Sequence, residues 1–300
     1  MKRIPVFWTN DDIMYSRAPQ MRRQLDFLSQ FGIRGDFFIV PRTGDHTLDE
    51  DNELVPMLKQ AMAAGHGCYQ HGYVHDPYES GIPDLSMLRF SPAVAERYTH
   101  ERFAIEAMHA LPAITKMVAS GHDIWKRTFG KRSNGYRPGW GSFCGNLYRA
   151  LGKLGFEWVS SRCSSMTSWR WNAGDFAAVD DVTPFGYGPV CIGKLVEYPI
   201  AGDYGFRVKR KDIKKFAELG WAQFQACRRL GVPFDLVSHW HGLEFENGTG
   251  YAVHELLLTR LRRSGQAEFL TLGEFHERAR KRRWPRVSLD VPAKPKSGTG

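Results

Sequence analysis

Short apolar runs rich in β-formers alternate with amphipathic stretches of helical length along nearly the whole chain, and this alternation constrains the fold most. Ile4 to Thr9, Gly35 to Val40, Gly67 to Gln70, Asn134 to Arg137, Phe156 to Ser160, Leu195 to Ile200, Phe234 to His239 and Glu268 to Thr271 read as strands. Helical patterns cover Ala18 to Phe31, Asp51 to Ala64, Ala93 to Phe129 with a break near Pro112, Asn146 to Leu154, Lys211 to Leu230, Val253 to Arg263 and Leu272 to Arg282. Such spacing argues for βα units around a parallel sheet. The Trp- and Gly-rich stretch from Ser164 to Gly193 has no clear period and reads as elaborate loop. With no internal repeat, linker or shift in composition, one domain is expected over residues 1–283. A basic tail rich in Pro, Lys, Gly and Ser follows over 284–300 and is expected to be flexible.

No run approaches the roughly 18–20 apolar residues of a membrane-spanning helix. The opening MKRIPVFWTNDD lacks the apolar core of a secretory signal, so a cytoplasmic protein is expected. Cys68, Cys144, Cys163, Cys191 and Cys227 are scattered and form no C-x-x-C pair, which suits reduced thiols better than a disulfide framework or zinc ribbon. The net charge of +9 gathers at Arg22-Arg23, Arg207 to Lys215, Arg260 to Arg263 and Arg278 to Arg286. Such patches are either a solvated surface or suit anionic partners, such as a phosphorylated sugar carrier or a peripheral contact with acidic lipid. Nucleic acid is set aside because no recognised binding module accompanies the charge.

Four strand ends carry chemistry. Thr9-Asn10-Asp11-Asp12 puts adjacent carboxylates after an apolar strand, where they repel unless a cation is near. His71 and His75, four apart in Gly65-His66-Gly67-Cys68-Tyr69-Gln70-His71-Gly72-Tyr73-Val74-His75, suit one metal if the segment curls into a turn. Arg137 in Tyr136-Arg137-Pro138-Gly139-Trp140-Gly141 can fix a carboxylate with its rigid fork. His239 and His241 in Asp235-Leu236-Val237-Ser238-His239-Trp240-His241 can act as acid, base or ligand. Alone, each has a bland reading as cap, surface histidine, turn or core-edge residue. Together they mark the C-terminal edge of a sheet, where α/β folds build sites.

In this order the motifs resemble the polysaccharide-deacetylase superfamily, the NodB-homology or carbohydrate esterase 4 group. Its T-F-D-D is similar to Thr9-Asn10-Asp11-Asp12, its G-H-E-I-G-N-H-[ST]-x-x-H to Gly65 through His75, its R-P-P-[YW]-G to Arg137 through Gly141, and its L-x-x-H to Leu236 through His239. Gly35 to Val40 is similar to its A-T-F-F-V strand. The resemblance implies a distorted (β/α) barrel of about seven strands. It also implies Asp12, His71 and His75 as ligands of Zn²⁺ or another divalent ion such as Co²⁺, with Asp11 as general base oriented by Arg137. His239 is the implied general acid, with His241 its rival or a substrate contact, and the Trp140 N–H donates to the oxyanion. Tyr73, Trp8, Trp140, Trp169, Trp171 and Trp240 offer faces for a sugar, about half of them near the site. The implied activity is removal of an acetyl or formyl group from an N-acylated sugar. The substrate is expected to be a nucleotide- or lipid-carrier-linked precursor of surface polysaccharide or lipopolysaccharide. The alternatives are a catalytically inactive glycan-binding protein and a metal-free amidohydrolase acting on a ureide. Asn10, Ile13 and Gly72 depart from the pattern, and its fourth motif cannot be registered among Arg162, Trp169, Trp171, Asp175 and Asp203.

Overall fold

The computed structural model describes residues 3–83, 91–179, 182–183 and 186–288. Its strands are β1 (Ile4–Ile13), β2 (Asp36–Ile39), β3 (Arg42–Thr43), β4 (His46–Thr47), β5 (Gly67–His71), β6 (Gly135–Arg137), β7 (Trp158–Val159), β8 (Val190–Ile192), β9 (Leu195–Glu197), β10 (Gly202–Asp203), β11 (Phe234–His239), β12 (Ala267–Phe269) and β13 (Arg286–Val287). The helices are α1 (Ala18–Gln30), α2 (Leu54–Ala63), α3 (Pro92–Met108), α4 (Leu111–Phe129), α5 (Gly145–Leu154), α6 (Thr167–Asn172), α7 (Ile213–Leu230), α8 (Trp240–Leu243), α9 (Phe245–Ser264) and α10 (Leu272–Ala279).

One sheet runs β10-β11-β1-β2-β5-β6-β7-β9-β8-β13, with β12 paired to β1. From β11 to β9 seven consecutive strands are mutually parallel, as expected of the distorted barrel. The hairpin β8–β9 is antiparallel, and among the described residues the path ends at β10 and β13.

Alternation along the strands divides the sheet into two faces. Val6, Trp8, Phe37, Ile39, Cys68 and Leu236 pack outward against apolar residues of α1, α2, α7 and α9, such as Leu28, Leu58, Phe224 and Leu257. Phe7, Phe38, Tyr69, Trp158 and Tyr198 form the other layer, with Leu272 and Phe275 of α10 against them. That aromatic floor lies one step below the strand ends that carry polar residues.

Local chemistry explains the boundaries. Asp51 receives the N–H groups of Glu53 and Leu54 at 3.1 and 2.8 Å and so opens α2. Thr271 and Glu274 form a reciprocal capping box at the start of α10. The helical pattern expected over residues 93–129 is two helices, because Ala110 is extended and Pro112 lies in the first turn of α4. The expected helix at Val253 begins earlier, at Phe245, through left-handed residues Glu246, Asn247 and Gly248. The stretch read as loop contains α6 and β8. At the start of the expected tail, Trp284 packs on the aromatic layer and Arg286–Val287 pairs with β8. The rest of that tail, 289–300, lies outside the described residues.

Candidate metal centre and active site

The site begins with an irregularity in β1. Its register against β2 shifts between Asn10 and Ile13, and Asp12 takes a φ of 66°. Successive side chains on a regular strand point to opposite faces, and a bulge re-aims one of them. Both adjacent carboxylates therefore come close enough to act on His239, and both are 5% exposed.

Asp12 faces two histidines. His75 Nε2 lies 2.7 Å and His71 Nε2 3.2 Å from Asp12 Oδ1, and His241 Nδ1 is 3.7 Å from Oδ2. His71 Nδ1 donates to the Arg137 carbonyl at 2.9 Å, which leaves the Nε2 lone pair aimed at the carboxylate. With that tautomer the imidazole and the carboxylate face each other as acceptors, and a cation or a shared proton between them satisfies both. Candidate ligand atoms of Asp12, His71 and His75 all lie within 4.8 Å of one another. The donor set of two imidazoles and a carboxylate fits a divalent zinc-like ion. Burial alone would raise the Asp12 pKa, but the His75 charge and the two histidine hydrogen bonds outweigh it and hold the carboxyl well below its usual range. The same pairing raises His75 against the opposing effect of burial.

Asp11 belongs to a separate network. Arg137, 1% exposed, donates through Nη1 to Asp11 Oδ1 at 2.8 Å and Thr9 Oγ1 at 2.9 Å. Through Nη2 it donates to Asp235 Oδ2 at 2.7 Å and Ser160 Oγ at 2.8 Å. Its guanidinium sits 3.9 Å over the Phe38 ring, so the aromatic floor supports the ion network. Burial pushes Asp235 up to about 6, despite Arg137 and the Thr9 hydrogen bond.

His239 ends β11 opposite Asp11 and donates from Nδ1 to Asp203 Oδ2 at 2.6 Å. Burial would lower its pKa. The Asp203 hydrogen bond and the charges of Asp12, Asp203 and Asp11 overcome this and lift it to about 9. His241 has no such carboxylate hydrogen bond. Burial first, then the His239 charge, lowers it to about 4.

Of the six aromatics expected as sugar platforms, Trp140, Trp169 and Trp240 border the site histidines, with ring centroids 6.4 Å from His75, 5.8 Å from His239 and 5.4 Å from His241. Trp8 is buried and donates to His254 Nδ1 at 2.9 Å. Trp171 and Tyr73 pack against the main core, and Arg42 donates to the Tyr73 hydroxyl at 3.4 Å. Trp140 is left-handed, φ 58°, in the turn after β6.

No protein-family model and no curated protein matches the chain. Solved structures do. A candidate polysaccharide deacetylase from Mycobacterium smegmatis aligns over 99% of both chains at a TM-score of 0.61 with 16% identity. The chitin deacetylase of Colletotrichum lindemuthianum aligns over 91% of this chain and 89% of its own at 0.52, also with 16% identity. The chain has the polysaccharide-deacetylase fold.

Within that fold, sequence reasoning placed the Asp12, His71 and His75 cluster, the Arg137–Asp11 pair and His239 at one sheet edge, and they lie together there. It assigned no role to Asp235, although an acid inside the apolar strand Phe234–His239 was a usable signal. Asp203 stood among the unregistered fourth-motif candidates, and only the pairing of β10 with β11 brings it to His239. Glu79, 3% exposed beside the histidine turn, was missed; nothing in the local pattern pointed to it.

Proposed function

We propose that this chain is a metal-dependent hydrolase that removes an acetyl or formyl group from the nitrogen of an amino sugar. The observation that carries the reading is convergence at one sheet edge. An Asp–His–His cluster, a carboxylate held by a buried arginine and a histidine backed by a carboxylate occupy adjacent strand ends.

Asp12, His71 and His75 would hold the ion. When bound, a divalent ion there polarises the amide carbonyl and acidifies a water. Asp11 accepts the proton of the attacking water, and Arg137 fixes the carboxylate's orientation. His239, protonated and held by Asp203, gives its proton to the departing nitrogen. The products are a carboxylate and a free amine. The Trp140 N–H is the proposed donor to the oxyanion. His241, neutral at pH 7, takes the role of substrate contact, beside Trp140 and Trp240 as sugar platforms. The clusters of basic residues in the sequence favour a sugar carried on phosphate, such as a nucleotide- or lipid-linked precursor of surface polysaccharide, with peripheral contact to acidic lipid. Among the described residues no helix is long and apolar enough to cross a membrane.

Protein stripped with a chelator and reloaded with Zn²⁺ or Co²⁺ is expected to release acetate or formate from a panel of N-acylated amino sugars, free and nucleotide-linked. Turnover that survives the chelator, or no release with metal bound, sinks the reading.

The His239 assignment makes a pH prediction. The acid works only when protonated, so kcat is expected to fall as pH rises through about 9. Asp203, Asp12 and Asp11 favour the charged form, while burial opposes it; His241 and His75 also lie close by. A cation beside Asp12 offsets part of that carboxylate's effect and leaves Asp203 as the chief support. Asp203→Asn is therefore expected to move the alkaline limb down by about one unit or more. An unmoved limb would remove the Asp203–His239 pair from catalysis.

A further inference from the structure

The turn between the two candidate histidine ligands is gripped by one buried carboxylate. Glu79 Oε1 accepts the Tyr73 N–H and Oε2 the Val74 N–H, both at 2.9 Å. These are two of the three residues that separate His71 from His75. Gly72 has a φ of 55°, and a Cβ there would collide with Glu79 Oε1. His75 itself has a φ of 62°, a conformation that costs a non-glycine residue on the order of 1–3 kcal/mol unless its surroundings impose it. Gly139 closes the opposite side, where a Cβ would press on the His75 ring.

We infer that Glu79 is the positioning residue of the metal centre: by clamping the Tyr73 and Val74 N–H groups it fixes the 72–75 turn and so sets the affinity for the ion. The inference rests on the metal-dependent reading above. The clamp is bidentate and nearly dry, so it defines orientation as well as position. Losing it should cost geometry more than folding, because the turn it grips reaches the surface, with Val74 40% exposed.

Glu79→Gln preserves volume but turns an amide NH₂ toward one of the two donors. It is expected to weaken Zn²⁺ binding at least about tenfold, the range seen when partners behind metal ligands are lost. Competition with a chromophoric chelator measures this, and the visible spectrum of the Co²⁺ form should change. The Tm of metal-free protein should move by only a few degrees. Gly72→Ala, which displaces the carboxylate from the other side, should weaken Zn²⁺ binding in the same way. If wild type binds Zn²⁺ and Glu79→Gln binds equally well with an unchanged Co²⁺ spectrum, the clamp is refuted while the metal reading stands. If Glu79→Gln instead unfolds the metal-free protein, Glu79 is structural and the inference fails. If wild type binds neither ion, the metal reading itself falls.

Discussion

Arg137→Leu is expected to destabilise the protein by about 3–5 kcal/mol, the usual consequence of removing one partner from a buried ion network. Arg137 is bracketed by Asp11 at 2.8 Å and Asp235 at 2.7 Å, and both carboxylates are buried, Asp235 the more deeply. Thr9 and Ser160 would lose their donor as well. In thermal denaturation the loss should appear as a Tm drop on the order of 10 °C. Arg137→Lys keeps a charge but supplies no rigid fork for four acceptors, so it should recover only part of the deficit. The deficit should also depend on pH. Without the guanidinium, the folded-state pKa of Asp235 rises beyond its already raised value of about 6. A raised carboxyl binds more protons folded than unfolded, so stability falls as pH rises from the unfolded value through the folded one. The variant should therefore be closer to wild type at pH 5 than at pH 8. A loss below about 1 kcal/mol at pH 8 would mean that the carboxylates are satisfied by groups other than Arg137.

What could be seen in the sequence divides along a physical line. The βα alternation was legible because each strand and helix must bury a face, and burial imposes a period on the residues themselves. Ile4 to Thr9, Gly67 to Gln70 and Phe234 to His239 were readable for that reason. The strand-end positions of Asp11, His71, Arg137 and His239 followed from the same elements. The remainder depends on the third dimension. No local pattern says that Asp203, on a two-residue strand, lies beside β11. Nothing near Glu79 says that its carboxylate fills the space above Gly72. The left-handed residues Asp12, His75 and Trp140 were invisible for another reason: none is glycine, so the local sequence favours an ordinary backbone there, and only the assembled site holds them otherwise. Tyr73 illustrates the converse. It lies between two candidate ligands in sequence, yet it packs against the main core.

Asp11→Asn is expected to lower kcat by about 10²–10⁴, the contribution usual for a positioned general base. Asp11 and Asp12 are chemically identical neighbours, and the bulge in β1 gives them different partners. Asp12 meets His71 and His75, whereas Asp11 meets Arg137 and lies opposite His239. An asparagine at residue 11 still offers an oxygen to Arg137 Nη1, so the network and the fold should persist. It cannot take a proton from water at neutral pH. Zn²⁺ affinity, measured by chelator competition, should remain within about threefold of wild type, because no ligand has changed. Unchanged metal and sugar binding together with lost turnover is an outcome that an inactive glycan-binding protein cannot produce, since it has no turnover to lose. A fall in kcat of less than tenfold would place the base elsewhere. Asp235 would not serve, because it lies behind the guanidinium at 1% exposure. Measuring the variant across pH separates the two proton transfers. Under the proposed mechanism the alkaline limb is that of His239 and should survive in the residual activity, lowered by loss of the Asp11 charge, while the loss at the plateau reports on Asp11.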